Sequence, residues 1–163
     1  VAKGTFGKLE IVTAVKRVQA QGIAVGANFI VGLLDDTHAT MQQTLDLACE
    51  LNTEWMNVYS AMAYPGSKLH EIAKQKGIRL PEDDGGPGWM GYSQHNYETL
   101  PLSTNTLTAA EVLAFRDHFF IHYFSRAGYQ EMLRRKFGDA AVVDVKTMLA
   151  SGTPKRRLLS DTK

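Results

Sequence analysis

The sequence predicts an α/β protein in which a βαβα unit is followed by a helical tail. Two short apolar runs, Ile23 to Leu33 and Trp55 to Met62, are rich in β-branched and aromatic residues and read as strands. Between them Met41, Leu45, Ala48 and Leu51 keep helical spacing. A strand, helix and strand joined by short loops make the strands parallel and the crossover right-handed. Beyond Thr108 the apolar residues again fall at helical spacing, between helix start and stop signals.

Each element has its own signal. From Lys8 to Gln21, Leu9, Val12, Val15 and Val18 recur every third position, and Gly22 stands where a left-handed cap is expected. The stretch GANFIVGLLDDT, Gly26 to Thr37, reads as a strand buried on both faces. Asp36 or Thr37 can cap the next helix. The turn Tyr64 to Ser67 leads into a third helix, Lys68 to Lys76, with Ser67 as N-cap and Gly77 past its end. Residues 81–107 open with Pro81-Glu-Asp-Asp-Gly-Gly-Pro-Gly88 and carry no periodic apolar face, so a long loop or lid is expected. Trp89, Tyr92 and Tyr97 in it either cover a site or anchor the loop. Thr108-Ala-Ala-Glu111 is a capping box that starts a helix bearing Leu113, Phe119, Phe120, Tyr123 and Phe124. Two more helices, Gly128 to Phe137 and Asp139 to Ala150, are separated by Gly138. The expected organisation is thus 1–80, loop 81–107, helical extension 108–152 and a flexible tail 153–163.

Composition excludes several classes. The net charge of +1 comes from 18 basic and 17 acidic residues that are mostly interspersed, so no strong field points to nucleic acid or a membrane surface. The cluster Lys155-Arg156-Arg157 reads as a solvated terminal run. No apolar run approaches the ~20 residues that span a bilayer, and no signal-peptide pattern opens the sequence. One cysteine, Cys49, excludes an internal disulfide and fits a reducing cytoplasm, the expected location. The first residue is Val and a helix follows almost at once, so part of a longer protein is expected.

In parallel α/β folds chemistry sits at the carboxyl ends of strands, here Gly32 to Asp35 and Ala61 to Ser67. Gly32 and the carboxylates of Asp35 and Asp36 either admit a ligand or serve the turn and the helix N-terminus. Asn28 is the one polar residue of its strand, and a buried amide there needs a partner, a ligand among the candidates. His118 and His122 share the spacing of zinc peptidases, but Phe119 stands where the glutamate base belongs. His38, His70 and His95 are scattered and read as surface or cap residues. The aromatic stripe Phe115, Phe119, Phe120, Tyr123 and Phe124 reads as a seam facing the core or another domain, broad enough to support a homodimer.

Gly22-Ile23, Asn28-Phe-Ile-Val-Gly-Leu33, Asp36-Thr37 and Met41 to Ala48, followed by Val58 to Met62, Tyr64-Pro-Gly-Ser-Lys-Leu69 and Lys76-Gly77, resemble the late part of the barrel in radical S-adenosylmethionine enzymes. Phe115-Arg-Asp117, the aromatic run to Tyr123, Tyr129, Lys136-Phe-Gly138 and Arg156-Arg-Leu-Leu159 are similar to the helical tail of members that bind cobalamin. The resemblance implies the last part of a partial (βα)6 TIM-like barrel, with S-adenosylmethionine and a 4Fe-4S cluster at the carboxyl ends of its strands. The family's fifth-strand motif, Gly-x-Ile-x-Gly-x-x-Glu, falls on Asn28, Ile30, Gly32 and Asp35, with Asn for Gly and Asp for Glu. Ala61, Met62 and Ala63 fall where the sixth strand touches adenine through its backbone.

In this family the reduced cluster generates a 5'-deoxyadenosyl radical that abstracts hydrogen from a substrate. The Cys-x-x-x-Cys-x-x-Cys loop that holds the cluster has no counterpart here. The chain alone is therefore expected to bind no cofactor and to be inactive, with the missing N-terminal part of the same protein as its partner. Cobalamin is left open as a further cofactor. Two alternatives stand beside this: an ordinary (βα)-barrel enzyme using Asp35 or Asp36 as acid or base, and a catalytically silent dimerisation module.

Overall fold

The computed structural model describes residues 7–160. The elements run α1 (Lys8–Ala20), β1 (Gly26–Val31), α2 (His38–Leu51), β2 (Trp55–Ser60), α3 (Lys68–Gln75), a 3-10 turn (Gly88–Tyr92), α4 (Ala109–Ser125), α5 (Ala127–Phe137), α6 (Asp139–Ala150) and a short α7 (Arg157–Ser160). The fold is α/β and mostly helical, with β1 and β2 forming a parallel pair in the register Gly26 opposite Trp55 through Val31 opposite Ser60. The starts and stops follow local chemistry. Thr37, Ser67 and Thr108 accept N-terminal amides of α2, α3 and α4, while Gly22, Gly77 and Gly138 adopt positive φ beyond helix ends.

The sheet is covered on one face. Ala27, Phe29 and Val31 of β1 and Met56 and Val58 of β2 pack into the main core with α2 and α4, where the Phe29 and Phe119 rings lie 5.7 Å apart. Gly26, Asn28 and Ile30 alternate to the other face and are exposed, so β1 is half-covered and not buried on both sides as its apolar run suggests. On that open face Asn57 Nδ2 donates to Asn28 Oδ1 at 2.9 Å, and Trp55 Nε1 donates to Asn57 Oδ1 at 3.2 Å.

The two edges differ as well. Val25 and Val31 carbonyls accept from Trp55 and Ala61 amides, so alternation turns the backbone groups of Gly26, Asn28 and Ile30 toward a side with no described strand. The far edge of β2 is closed by side chains. Arg116 Nε donates to Val58 O at 3.0 Å, while Gln94 donates to Ser60 O at 2.8 Å and accepts from Ser60 N at 3.1 Å, pairing as a neighbouring strand would.

Helix α4 supplies the core. Phe119, Tyr123 and Phe124 are fully buried, with Phe120 partly so, which makes the aromatic stripe a seam that faces the core. It covers the sheet and meets α5 and α6, which fold back on α4. Burial pushes the Tyr123 phenol up to about 12, keeping it protonated as the donor of a 2.7 Å bond to Thr53 O.

Four consecutive carbonyls between α2 and β2 are met this way. Lys16 Nζ reaches Leu51 O at 2.7 Å, Gln19 Nε2 reaches Asn52 O at 3.2 Å, Tyr123 reaches Thr53 O and Tyr129 Oη reaches Glu54 O at 3.0 Å. Arg126 adds bonds to Cys49 O and Asn52 Oδ1 while stacking its guanidinium over Tyr123. The buried Glu54 carboxylate accepts from Val25 N at 2.8 Å, from Gln19 and from Lys136. Burial raises its pKa, and the bonds from Lys136, Val25 and Gln19 outweigh that and hold it at about 2.

Residues 81–107 have little regular structure, as expected, but they pack down: Tyr92, Thr99, Leu102 and Thr104 are buried, and Leu102 N donates to Ala61 O. Tyr92 anchors the segment, whereas Trp89 is 77% exposed. The expected flexible tail is likewise tied down through residue 160. Arg156 is 1% exposed, Arg157 N donates to Tyr97 O and Arg157 pairs with Glu98, so the middle residue of this basic cluster is buried while Lys155 and Arg157 remain exposed. Residues 161–163 of that expectation lie outside the described residues. Helix α1 rests on α2 with no fully buried residue, and Leu9 of its stripe is 78% exposed.

Gly32 adopts φ +82°, and a Cβ there would stand 2.3 Å from Val112 Cγ1. Gly32→Ala is expected to cost roughly 2 to 5 kcal/mol in urea unfolding, combining positive-φ strain with overpacking, and Val112→Ala in the same chain should recover part of it. A depressed carboxylate stabilises the fold fully above its unfolded value and loses that contribution as pH falls through the folded one. Glu54→Gln should therefore lower stability at neutral pH and flatten its decline between about pH 4.5 and 2, read by denaturant titration across that range.

Candidate functional site

The carboxyl ends of β1 and β2 open into a groove of about 370 Å³ lined by Ile30, Leu33, Tyr59, Ser60, Ala61, Met62, Tyr64, Leu69 and Gln94. Its walls are largely apolar, and two loops and α3 shape it. The Tyr64 ring stacks on Tyr92 with centroids 5.4 Å apart and donates from its hydroxyl to Tyr92 O, which ties the groove's outer wall to the 81–107 segment.

Of the residues singled out by sequence, Ile30, Ala61 and Met62 meet in this groove. Asn28 lies one alternation earlier on the same open face. It is exposed and paired with Asn57, not a buried amide, which corrects the premise on which it was chosen. Its Nδ2 makes no hydrogen bond to another described residue. Gly32, Asp35 and Ala63 stand outside the groove. Gly32 serves the turn and the approach of Val112, and Ala63 packs in a second small core with Ala73, Leu80 and Leu102. Ala61 has both backbone groups engaged, its N with Val31 O and its O with Leu102 N. Met62 and Ala63 have no backbone hydrogen bond to another described residue.

The two carboxylates after β1 are engaged locally. Asp36 Oδ2 accepts from Gly32 N and Leu33 N at 2.9 Å each, and its Oδ1 accepts from Thr40 Oγ1 at 2.8 Å. Asp35 Oδ1 accepts from Asn105 Nδ2 at 2.9 Å, joining this turn to the segment before α4.

Other polar groups cluster behind the groove. His70, expected at the surface or as a cap, is buried with its ring 2.5 Å from Glu82 Oε1, while Tyr92 Oη donates to the other carboxylate oxygen. Burial raises the Glu82 pKa, and these two bonds outweigh it, holding the group at about 2. His118 and His122 face solvent with ring centroids 5.6 Å apart. Cys49 sits half-buried within α2, its thiol pushed up by burial.

Sequence reasoning missed Gln94, which closes the edge of β2 and lines the groove, because it lies where no periodicity exists. It also missed the structural work of the tail motifs. Phe137-Gly138 ends α5 at φ +84°, and Arg156 is packed inside. Neither a family model nor a curated protein matches the sequence. Among the described residues no helix is long and apolar enough to cross a membrane.

Asp36→Ala removes the acceptor for two backbone amides and a hydroxyl, so it is expected to cost roughly 1 to 3 kcal/mol of stability by thermal or denaturant unfolding. Unchanged stability would mean that the carboxylate is spare and free for chemistry.

Proposed function

We propose that this chain is the carboxyl-terminal part of a radical S-adenosylmethionine enzyme, comprising the last two strands of a (βα) barrel and a helical tail. The observation that carries the reading is the one-sided sheet. Helices cover one face, and the other presents Asn28, Ile30, Asn57 and Tyr59 along a path into the groove at the strand ends. A barrel strand divides its side chains in this way, outward to helices and inward to the site. The open edge of β1 is where further strands of the barrel would pair.

The residues fit the nucleoside part of S-adenosylmethionine. Ile30, Leu33 and Met62 give apolar surface for a base, the Met62 and Ala63 backbones have hydrogen-bonding capacity to spare, and Asn28 Nδ2 can donate to a hydroxyl or carboxylate. In this class the chemistry supplied by bound S-adenosylmethionine is radical abstraction of a hydrogen atom. The residues do not fit the iron-sulfur cluster, because the chain's one cysteine sits within α2 and three thiolates are required. No step through the cluster, or through cobalamin, follows from these side chains. What they do is orient the nucleoside and exclude water from one side of it.

The reading is tested at two levels. The gene should encode a Cys-x-x-x-Cys-x-x-Cys loop upstream in the same frame. In the full-length protein, Asn28→Leu should weaken S-adenosylmethionine binding by roughly 1 to 3 kcal/mol, the cost of unpairing a ligand polar group, with thermal stability unchanged because the residue is exposed. An open reading frame without the cysteines, or a variant with full affinity, would sink the proposal.

A further inference from the structure

A second concavity lies away from the strand ends, between α4, the end of α6 and the turn that follows it. This cavity of about 270 Å³ is lined by His95, Arg116, Phe120, Met148 and residues 151–154. Arg116, 5% exposed, forms its floor, donating from Nε to Val58 O and from Nη1 to Asp117 Oδ1 at 2.8 Å. Its Nη2 makes no hydrogen bond to another described residue. Two residues beyond Pro154 of the wall comes Arg156, which is not part of the lining; its Nη2 donates to Gln94 O, while the buried Nε and Nη1 have no acceptor among the described residues.

Two buried guanidiniums thus share the influence of one buried carboxylate, Asp117, whose Oδ1 takes Arg116 and whose buried Oδ2 has no hydrogen-bond partner among the described residues. An unbalanced buried charge is costly unless a counter-charge reaches it. Burial and the nearby Arg116 and Arg156 hold the His95 imidazole below its usual range, with Asp117 opposing, so His95 adds a neutral polar group and no further positive charge. Phe120, Met148 and Pro154 supply apolar wall. The volume exceeds the roughly 150 Å³ that holds benzene in an engineered apolar cavity.

From the free Nη2 of Arg116 in the cavity lining, the excess of buried positive charge behind it and the apolar walls, we infer that this cavity binds a small organic anion, its carboxylate or phosphate head on Arg116 and its apolar body against Phe120 and Met148. A guanidinium edge takes either head through paired N–H donors. The inference is independent of the radical S-adenosylmethionine reading and goes beyond it.

The test titrates the protein with benzoate, phenyl phosphate and neutral benzamide, following chemical shifts of His95 and the Met148 methyl. One or both anions should bind saturably, the better of them identifying the head group. Benzamide should bind about tenfold or more weakly, the discrimination expected of one charge-assisted pair. Met148→Trp fills the cavity without touching the charges, and should abolish binding with the melting temperature retained. Arg116→Met removes the head-group contact together with the bonds to Val58 O and Asp117 Oδ1, so Met148→Trp is the deciding variant, and full affinity in a folded Arg116→Met likewise overturns the inference. Equal affinity for benzamide, no saturable anion binding, or full affinity in Met148→Trp overturns the inference.

Discussion

A chain that turns from a buried helix into a buried strand exposes carbonyls that neither element can satisfy, and a buried carbonyl left alone is costly. Between Leu51 and Glu54 four such carbonyls follow one another, and they accept from side chains of three distant helices. Lys16 and Gln19 bring α1, Tyr123 brings α4 and Tyr129 brings α5. Asn52, at φ 45°, makes the tight reversal that presents them, and the Glu54 side chain adds Val25 and Lys136 to the same junction. A sheet of two strands has little area to hold helices by apolar contact alone. The junction ties α1, α4 and α5 to the turn between α2 and β2 by directional bonds as well as by packing.

Much of this architecture was legible in the sequence. The order of elements, the caps Thr37, Ser67 and Thr108, and the stops at Gly22, Gly77 and Gly138 rest on local chemistry that the chain cannot evade, and they stand as read. The aromatic stripe on α4 announced a seam but not its partner, because helical spacing says which side chains share a face and not what they meet. The burial of Arg156 was illegible for the opposite reason. Three basic residues near a terminus look solvated, and only the pocket made by distant segments draws the middle one inside.

The candidate site divides along the same line. Ile30, Ala61 and Met62 could be placed together because parallel strands bring their carboxyl ends to one side. Asn28 was chosen for a buried amide and turns out to lie on the open face, since an apolar run does not reveal which alternate residues a neighbour covers. Gln94 had no signal at all. Its role depends on meeting Ser60 across 34 residues, a pairing that no local pattern encodes.

The asymmetry of the two strand edges limits how copies of this protein can stick to one another. With Arg116 and Gln94 occupying polar groups along β2, growth by strand addition has the β1 edge as its available side among the described residues. Two copies joined edge to edge through β1 use up both open edges and stop at a closed pair. A fibril needs two open edges in every copy. The side-chain amide that imitates a missing strand is therefore also a terminator of polymerisation.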